Sequence, residues 1–335
     1  MPIRDSEDHP GRAAAAVSSG ALAEIADDTV QAHAQEVGEP EARSQWRLFW
    51  RRFFRHKLAV VAATVLIFLY IVTFFADSVS PYDIDQVLDD KTLADARQGP
   101  SLDHWFGTDD LGRDQLTRVL HAGRVSLRVG LLVALVSTVL GTAVGALAGY
   151  FGKWVDQVLM RITDLFLIVP GLAVLMMAQK GLSGKELFGW RMSSSAVIIL
   201  ILSFLFWQYI ARVVRGVFLS LKEREYVEAA RASGASSFRI ITRHMIPNTI
   251  GPIAVNTTLV VGLAILTEST LSYLGFGVQP PDVSLGKLVY DYQGRVGGDT
   301  AYLVWFPGLA ILVAVIAVNF LGDGMRDAFD PQSDR

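Results

Sequence analysis

The chain has 335 residues, of which 51% are hydrophobic and 19% charged, with a net charge of -3. It contains no cysteine, which excludes disulfides, thiolate metal sites and cysteine nucleophiles. The small net charge conceals an acidic beginning and basic inner loops, and no stretch carries the basic footprint of a nucleic-acid binder.

Residues 1–45 hold nine acidic and three basic side chains without apolar periodicity, and they read as a disordered cytoplasmic tail. Residues 46–57 are basic and aromatic, with Trp46, Phe49, Trp50 and Phe53 among Arg47, Arg51, Arg52 and Arg55. Such a segment lies at a headgroup boundary, rings inward and cations on phosphates. Uncharged runs follow at 58–76, 129–152, 192–211, 245–267 and 301–322, each about the 20 residues that a spanning helix needs. A sixth, 165–179, is long enough only if it starts near Val155. It then carries Asp156, Arg161 and Asp164, pairs Arg161 with Asp164 one turn on, and kinks at Pro170. Six spans let every loop agree with the bias of Lys and Arg toward the cytoplasm. Both termini are then inside, with 77–124, 180–191 and 276–300 outside. The expectation is an all-α polytopic membrane protein with one six-span domain over 58–331.

The outer loop 77–124 contains Phe106-Gly-Thr-Asp-Asp-Leu-Gly-Arg-Asp114. Turn-forming Gly and Asp explain much of it. No nucleophile with a base accompanies the carboxylates, and His104 and His121 fit no metal-binding spacing, so neither a catalytic nor a metal site is expected. In the second span Ser137, Gly141, Gly145 and Gly149 recur every four residues. That spacing lets helix backbones approach closely in lipid.

The inner loop 212–247 has seven Lys or Arg against three Glu. Ala229, Ala230 and Ala232 favour a helix whose N-terminal half suits Glu225 and Glu228 and which Gly234 stops in a left-handed cap. Ser236 or Ser237 caps a second helix bearing Phe238, Ile240 and Ile241, expected to end or kink near Pro247. Farther on, Glu268 closes the fifth apolar run. Near membrane depth it is either a group of the transport path or a structural acid bonded to Ser269 or Thr270. Asn256 and Asn319 are milder cases that bond between helices or line a pore. No phosphate loop exists, since Gly184-Lys185 is followed by Glu186 and lacks the preceding spacing. A carrier or channel acting alone would show internal repeats or acids buried in mid-span, and neither is evident.

Glu228-Ala229-Ala230, Gly234 and Ile246-Pro247 resemble the "EAA" loop of permease subunits of ATP-binding-cassette importers, with His244 standing where the broad consensus is apolar. Gly107-Thr-Asp-x-x-Gly-Arg-Asp114 resembles the signature of the C-type permeases of dipeptide, oligopeptide and nickel importers, with Thr117 where Ser is usual. The likeness continues through Asp156, Asp164, Pro170, Trp207, Arg212, Arg215, Glu268 and the segments 274–281 and 322–331, covering about 46–331. It implies the type I importer permease fold and a role as half of a pathway for peptides. Nickel chelates and haem are carried by permeases of the same type. It further implies that Glu225, Tyr226, Glu228, Ala229, Ala230, Arg231, Gly234, Ala235 and Pro247 dock into a separate ATPase, which supplies the ATP and Mg chemistry. The implied partners are a second permease, one or two ATPase subunits, an extracytoplasmic substrate-binding protein and membrane lipid. This chain would bind no cofactor.

The topology is directly testable, because single cysteines can be placed in a cysteine-free chain. A cysteine at Ser237 should resist membrane-impermeant reagents in intact cells. Labelling from outside would invert the topology.

Overall fold

The structure, a computed structural model, describes residues 45–84, 96–187 and 190–329. The expected acidic tail lies outside the described residues, as does the end of the chain beyond Phe329. Two compact units are distinguished, Met1–Trp50 and Arg51–Arg335. The basic aromatic segment is helix α1 (Gln45–Arg55), on which Arg51 is exposed and Phe53 buried.

The first span is α2 (Lys57–Phe74), opened by His56, whose Nδ1 accepts from Ala59 N at 3.1 Å. A short α3 (Ala76–Val79) follows. The second spanning helix, α4 (Gln115–Phe151), has 37 residues and a rise of about 55 Å. It begins far upstream of the expected 129, which shortens the outer loop 77–124 at its C-terminal end. The charged residues Arg118, Arg124 and Arg128 end the apolar run, but the helix does not need apolar residues once it leaves the hydrocarbon layer, about 30 Å thick. Asp114 caps it, accepting from Thr117 N at 2.8 Å.

The marginal sixth span is two helices, α5 (Lys153–Ile168) and α6 (Gly171–Leu182), bent by 79° at Val169 and Pro170. This is a break and not the expected kink. The expected pairing of Arg161 with Asp164 does not form either. Asp156 and Asp164, eight residues apart on one helical face, turn to α7 (Ser194–Leu221). There Arg212 donates to Asp164 at 2.6 Å, and Arg215 holds Asp156 through both Nε and Nη2. A hairpin of two-residue strands, β1 (Glu186–Leu187) and β2 (Trp190–Arg191), joins α6 to α7. Then come α8 (Glu225–Ala232), α9 (Ser237–Arg239), a π-helical turn (Ile240–Met245) and α10 (Ile246–Tyr273). An amphipathic helix α11 (Leu285–Tyr292) occupies the loop 276–300, and α12 (Tyr302–Phe329) closes the described chain. Among the described residues five helices are long and apolar enough to span a membrane, six with the bent pair. The fold is all-α apart from the small hairpin.

The centre of the bundle is the contact of α4 with α7. Ser137 Oγ donates to Ser203 O at 3.1 Å. A Cβ added at Gly141 would stand 2.5 Å from Trp207 O, and one at Gly149 2.5 Å from Phe218 Cβ. At Gly145 it would run into the carbonyl oxygen of Ala211. Val133, Ile198, Ile210, Val214 and Phe218 fill the space around this seam, all buried. Helix α10 packs on α4 and α12, and α12 on α2. Large apolar side chains such as Ile67, Phe68, Val139, Leu312 and Ile316 stay exposed on the outer faces, as lipid contact requires.

Gly145→Leu drives a side chain into backbone, and overpacking of this kind costs about 1 to 3 kcal/mol. The variant is expected to lose thermal stability and yield when purified in detergent. Unchanged melting would mean that the α4–α7 seam can open freely.

Candidate functional site

Three places gather functional side chains. In the loop 212–247, α8 starts at Arg224 with Glu225 and Glu228 in its first turn and Arg231 in its last, matching the helix dipole at both ends. It stops in a Schellman motif: Gly234 N bonds to Arg231 O at 3.0 Å and Ala235 N to Ala230 O at 3.1 Å, with Gly234 at φ +77°. Val227 is buried and anchors the helix, and Ala230 and Ala235 are half-buried. Glu225, Tyr226, Glu228, Ala229, Arg231 and Gly234 are exposed together, and no atom lies within 4 Å of the space above Gly234. Ser236 caps the next turn, accepting from Arg239 N at 3.4 Å.

That second helix does not end near Pro247. It widens into the π-helical turn, where Ile246 N bonds to Ile241 O five residues back, and runs on into α10. Proline lacks an N–H and its ring crowds the carbonyl four residues before it. An extra residue in the preceding turn removes that conflict, so Pro247, exposed, sits in the first turn of α10 without breaking the rod. Phe238 is 77% exposed beside α8, a bare aromatic ring at the edge of the same surface. Sequence reasoning placed Phe238 with Ile240 and Ile241 as one apolar set. In the fold the two isoleucines are buried and Phe238 is not.

Glu268 is fully buried near the C-terminal end of α10. Its partners are not the expected Ser269 or Thr270. Ser272, one turn along, donates to Oε1 at 2.7 Å, and Ser126 of α4 donates to Oε2 at 3.0 Å. Residues at i and i+4 face each other on a helix while immediate neighbours do not, and Thr270 turns back to Leu266 O at 2.8 Å. The serines reach the start of α11: Leu285 N donates to Ser126 Oγ at 3.1 Å, and Ser272 and Ser284 hydroxyls lie 3.1 Å apart. A Cβ on Gly286 would stand 2.6 Å from Ser269 Cα, so α11 is pressed directly onto α10. Glu268 thus ties two spans to α11. Asn256 Nδ2 bonds back to Pro252 O at 2.8 Å, and Asn319, exposed, lies with Oδ1 over Gly262. The structure does not bring Asn256, Glu268 and Asn319 together.

At the other end of the bundle from α8, Asp109 is buried at the focus of the turn before α4. It accepts from Leu111 N at 2.8 Å, Arg113 N at 2.9 Å and Arg113 Nε at 2.8 Å, and it pairs with Arg118, whose Nη1 also reaches Tyr292 OH at 2.7 Å. Burial pushes the Tyr292 phenol up to about 12, so it stays a donor. Asp110 takes a two-pronged bond from Arg295 at 2.6 Å and one from Arg97 at 2.8 Å. Burial works against its ionisation, but these two cations outweigh it and hold the carboxyl below its ordinary range. Hydrogen bonds from Arg124 and His121 do the same for Asp77. His104 bonds Asp114 at 3.0 Å. Among the described residues no group of His, Asp and Glu could hold a metal ion. The signature segment is therefore a structural knot. The links from Arg118 to Tyr292 and from Asp110 to Arg295 span more than 170 residues and have no signal in local sequence.

The pattern of the binding-protein-dependent transport system inner membrane component matches residues 141–335, and that of the N-terminal transmembrane domain of oligopeptide transport permease C matches residues 44–100. The chain belongs to this family of transport permeases. It is a multi-pass inner-membrane subunit of an importer and not an enzyme. It is similar to the glutathione transport system permease protein GsiD of Pectobacterium atrosepticum, 37% identical over 88% of this chain and 94% of that protein. The GsiD of Escherichia coli O6:K15:H31 is 38% identical over 88% of this chain and 93% of its own length. A chain from an inward-facing structure of the MetNI methionine ABC transporter shares the fold, with a TM-score of 0.51 and 19% identity over 64% of this permease and 97% of that chain.

Gly234→Val forces a β-branched side chain to φ +77°, a strain of about 1 to 3 kcal/mol. The cap is expected to unwind, seen as faster proteolysis between 232 and 237, while Gly234→Asn is tolerated. Equal protection in all three proteins would mean that the cap does not hold the loop.

Proposed function

We propose that this permease forms half of the translocation pathway of a peptide-class importer and couples it to a separate ATPase through α8. The carrying observation is the exposed knuckle of α8: a helix held from below by Val227, closed by a glycine in the left-handed region, and offering Glu225, Tyr226, Glu228, Ala229 and Arg231 as one free surface. Small side chains permit close approach, and Glu228 meets a basic or amide partner across the contact. Phe238 adds an apolar anchor at its rim. Several Lys and Arg in the same loop support its placement in the cytoplasm, with both termini on that side.

The partners in this reading are a second permease of related fold, one or two ATPase subunits that consume ATP and Mg, and an extracytoplasmic protein that delivers substrate. The apolar outer faces meet lipid. The substrate class rests on the similarity to glutathione permeases along most of the chain, glutathione being a small peptide. This chain contributes a path and a lever, and holds no cofactor.

The test is reconstitution with candidate partners in proteoliposomes. The purified chain alone is expected neither to bind nor to hydrolyse ATP, whereas the complex does both and accumulates labelled glutathione or trialanine over haem or a nickel chelate. Glu228→Ala should cut uptake and substrate-stimulated hydrolysis about tenfold or more, with capture by the binding protein unchanged. Peptide uptake by the isolated chain would replace this reading with a carrier acting alone.

A further inference from the structure

The break between α5 and α6 leaves backbone groups unused inside the spanning region. Pro170 caps α6 without a side-chain bond, and the N–H groups of Gly171, Leu172 and Ala173 have no acceptor among the described residues. Val169, Leu172 and Ala173 are exposed on the surface of this chain. The break also borders a cavity of about 260 Å³ lined by Phe166, Gly171, Leu175, Leu202, Gln208 and Thr267. Leu202 and Gln208 lie in the middle stretch of α7, so the cavity sits at membrane depth. Gln208 is only 3% exposed, and its Oε1 is buried without a hydrogen-bond partner.

Lipid cannot be the neighbour of such a break, because unsatisfied backbone at this depth is tolerated only against protein or a water-filled path. The two orphan sets are complementary in a specific way. The start of α6 offers donors with the positive end of a helix dipole, and Gln208 offers an acceptor. A carboxylate satisfies the first and opposes the second, and an ammonium group does the reverse. A secondary amide satisfies both, its oxygen toward the N–H groups and its N–H toward Gln208. The volume is far above the about 10–15 Å³ that one water needs.

We propose that Gln208 and the N-terminus of α6 form a binding position for a backbone amide of the passing substrate. This rests on the peptide reading above. Gln208 is then a specificity residue of the path: it accepts one hydrogen bond that any peptide can donate, whatever its side chains. Leu205, Phe206 and Tyr209 give the cavity an apolar wall that tolerates those side chains without selecting among them.

The test uses the complete reconstituted importer and compares uptake of trialanine with that of its analogue in which both amides are replaced by esters, which lack the N–H. Gln208→Leu is expected to lower the ratio of trialanine to ester uptake about fivefold from its wild-type value, the worth of one net hydrogen bond. The binding protein's own preference enters both ratios and cancels. An unchanged ratio in Gln208→Leu overturns the inference and leaves the peptide reading intact, whereas failure of the wild type to carry any peptide removes both. Should Gln208→Leu not assemble, a cysteine at Val169 in cysteine-free partners decides. Modification by a water-borne thiol reagent, slowed by trialanine, supports the site. Absence of modification means that the break is sealed from water, and modification indifferent to trialanine means hydration only; either result overturns it.

Discussion

The close seam of α4 against α7 is the constraint on which the rest of the molecule depends. In a bilayer no hydrophobic force presses helices together, so association rests on van der Waals packing and on polar groups that find partners. Ser137, Gly141, Gly145 and Gly149 bring the two backbones into direct contact over about three turns, with Trp207, Ala211 and Phe218 opposite. Both helices project beyond that seam. Helix α4 carries its N-terminal turns out to the Asp109 knot, and α7 carries Arg212 and Arg215 to the face where α5 docks and then delivers the chain to α8. A shift along the seam therefore displaces structures at both ends of the bundle together.

The polar groups inside the bundle reinforce that connection. Among the described residues Glu268 pairs with no cation, and it is held by serine hydroxyls on α4 and α10, of which Ser126 in turn takes the first N–H of α11. Buried polar networks stabilise one arrangement over others only when every member is satisfied, and this one joins three helices at a point. It fixes where α11 lies, and Arg118 and Tyr292 fix its far end. The loop 276–300 is consequently clamped at both ends of its helix.

Much of the fold was legible because bilayer thickness converts directly into run length. Apolar stretches of the right size located five spans, and small residues at a four-residue period marked the face that packs. The α8 cap was legible for a local reason: an alanine helix with acids first and glycine last has few other ways to end. What the sequence hid is of two kinds. Helices that continue past the membrane, such as α4 before Val129 or α7 after Ala211, lose the apolar signal while keeping the backbone. Long-range partners, such as Arg212 for Asp164 or Ser126 for Glu268, replace the neighbours that proximity in sequence suggests. Pro247 combined the two, since a proline that reads as a terminator is absorbed by a π-helical turn in which Ile240, Ile241 and Met245 are buried.

In the proposed coupling, that turn bears on how a movement at α8 reaches the far end of α10. From Ser237 to Tyr273 the chain is one helical rod, with the α8 knuckle beside its N-terminal end and Glu268 near its C-terminal end. A rod transmits displacement only as well as its weakest segment, and the weakest here is the π-helical turn, whose bonds span five residues and leave the helix locally overwide. It is braced from outside by α8, which packs on it, and by the burial of Met245. If α8 couples to an ATPase as proposed, motion delivered at the knuckle has a defined place to be taken up. If the turn tightens to regular α-helix, Pro247 again opposes the carbonyl of Arg243. If it holds, α10 moves as a unit against the α4 seam and carries the Glu268 pin with it. The geometry favours the second, because the first restores a clash that the π-helical turn exists to relieve.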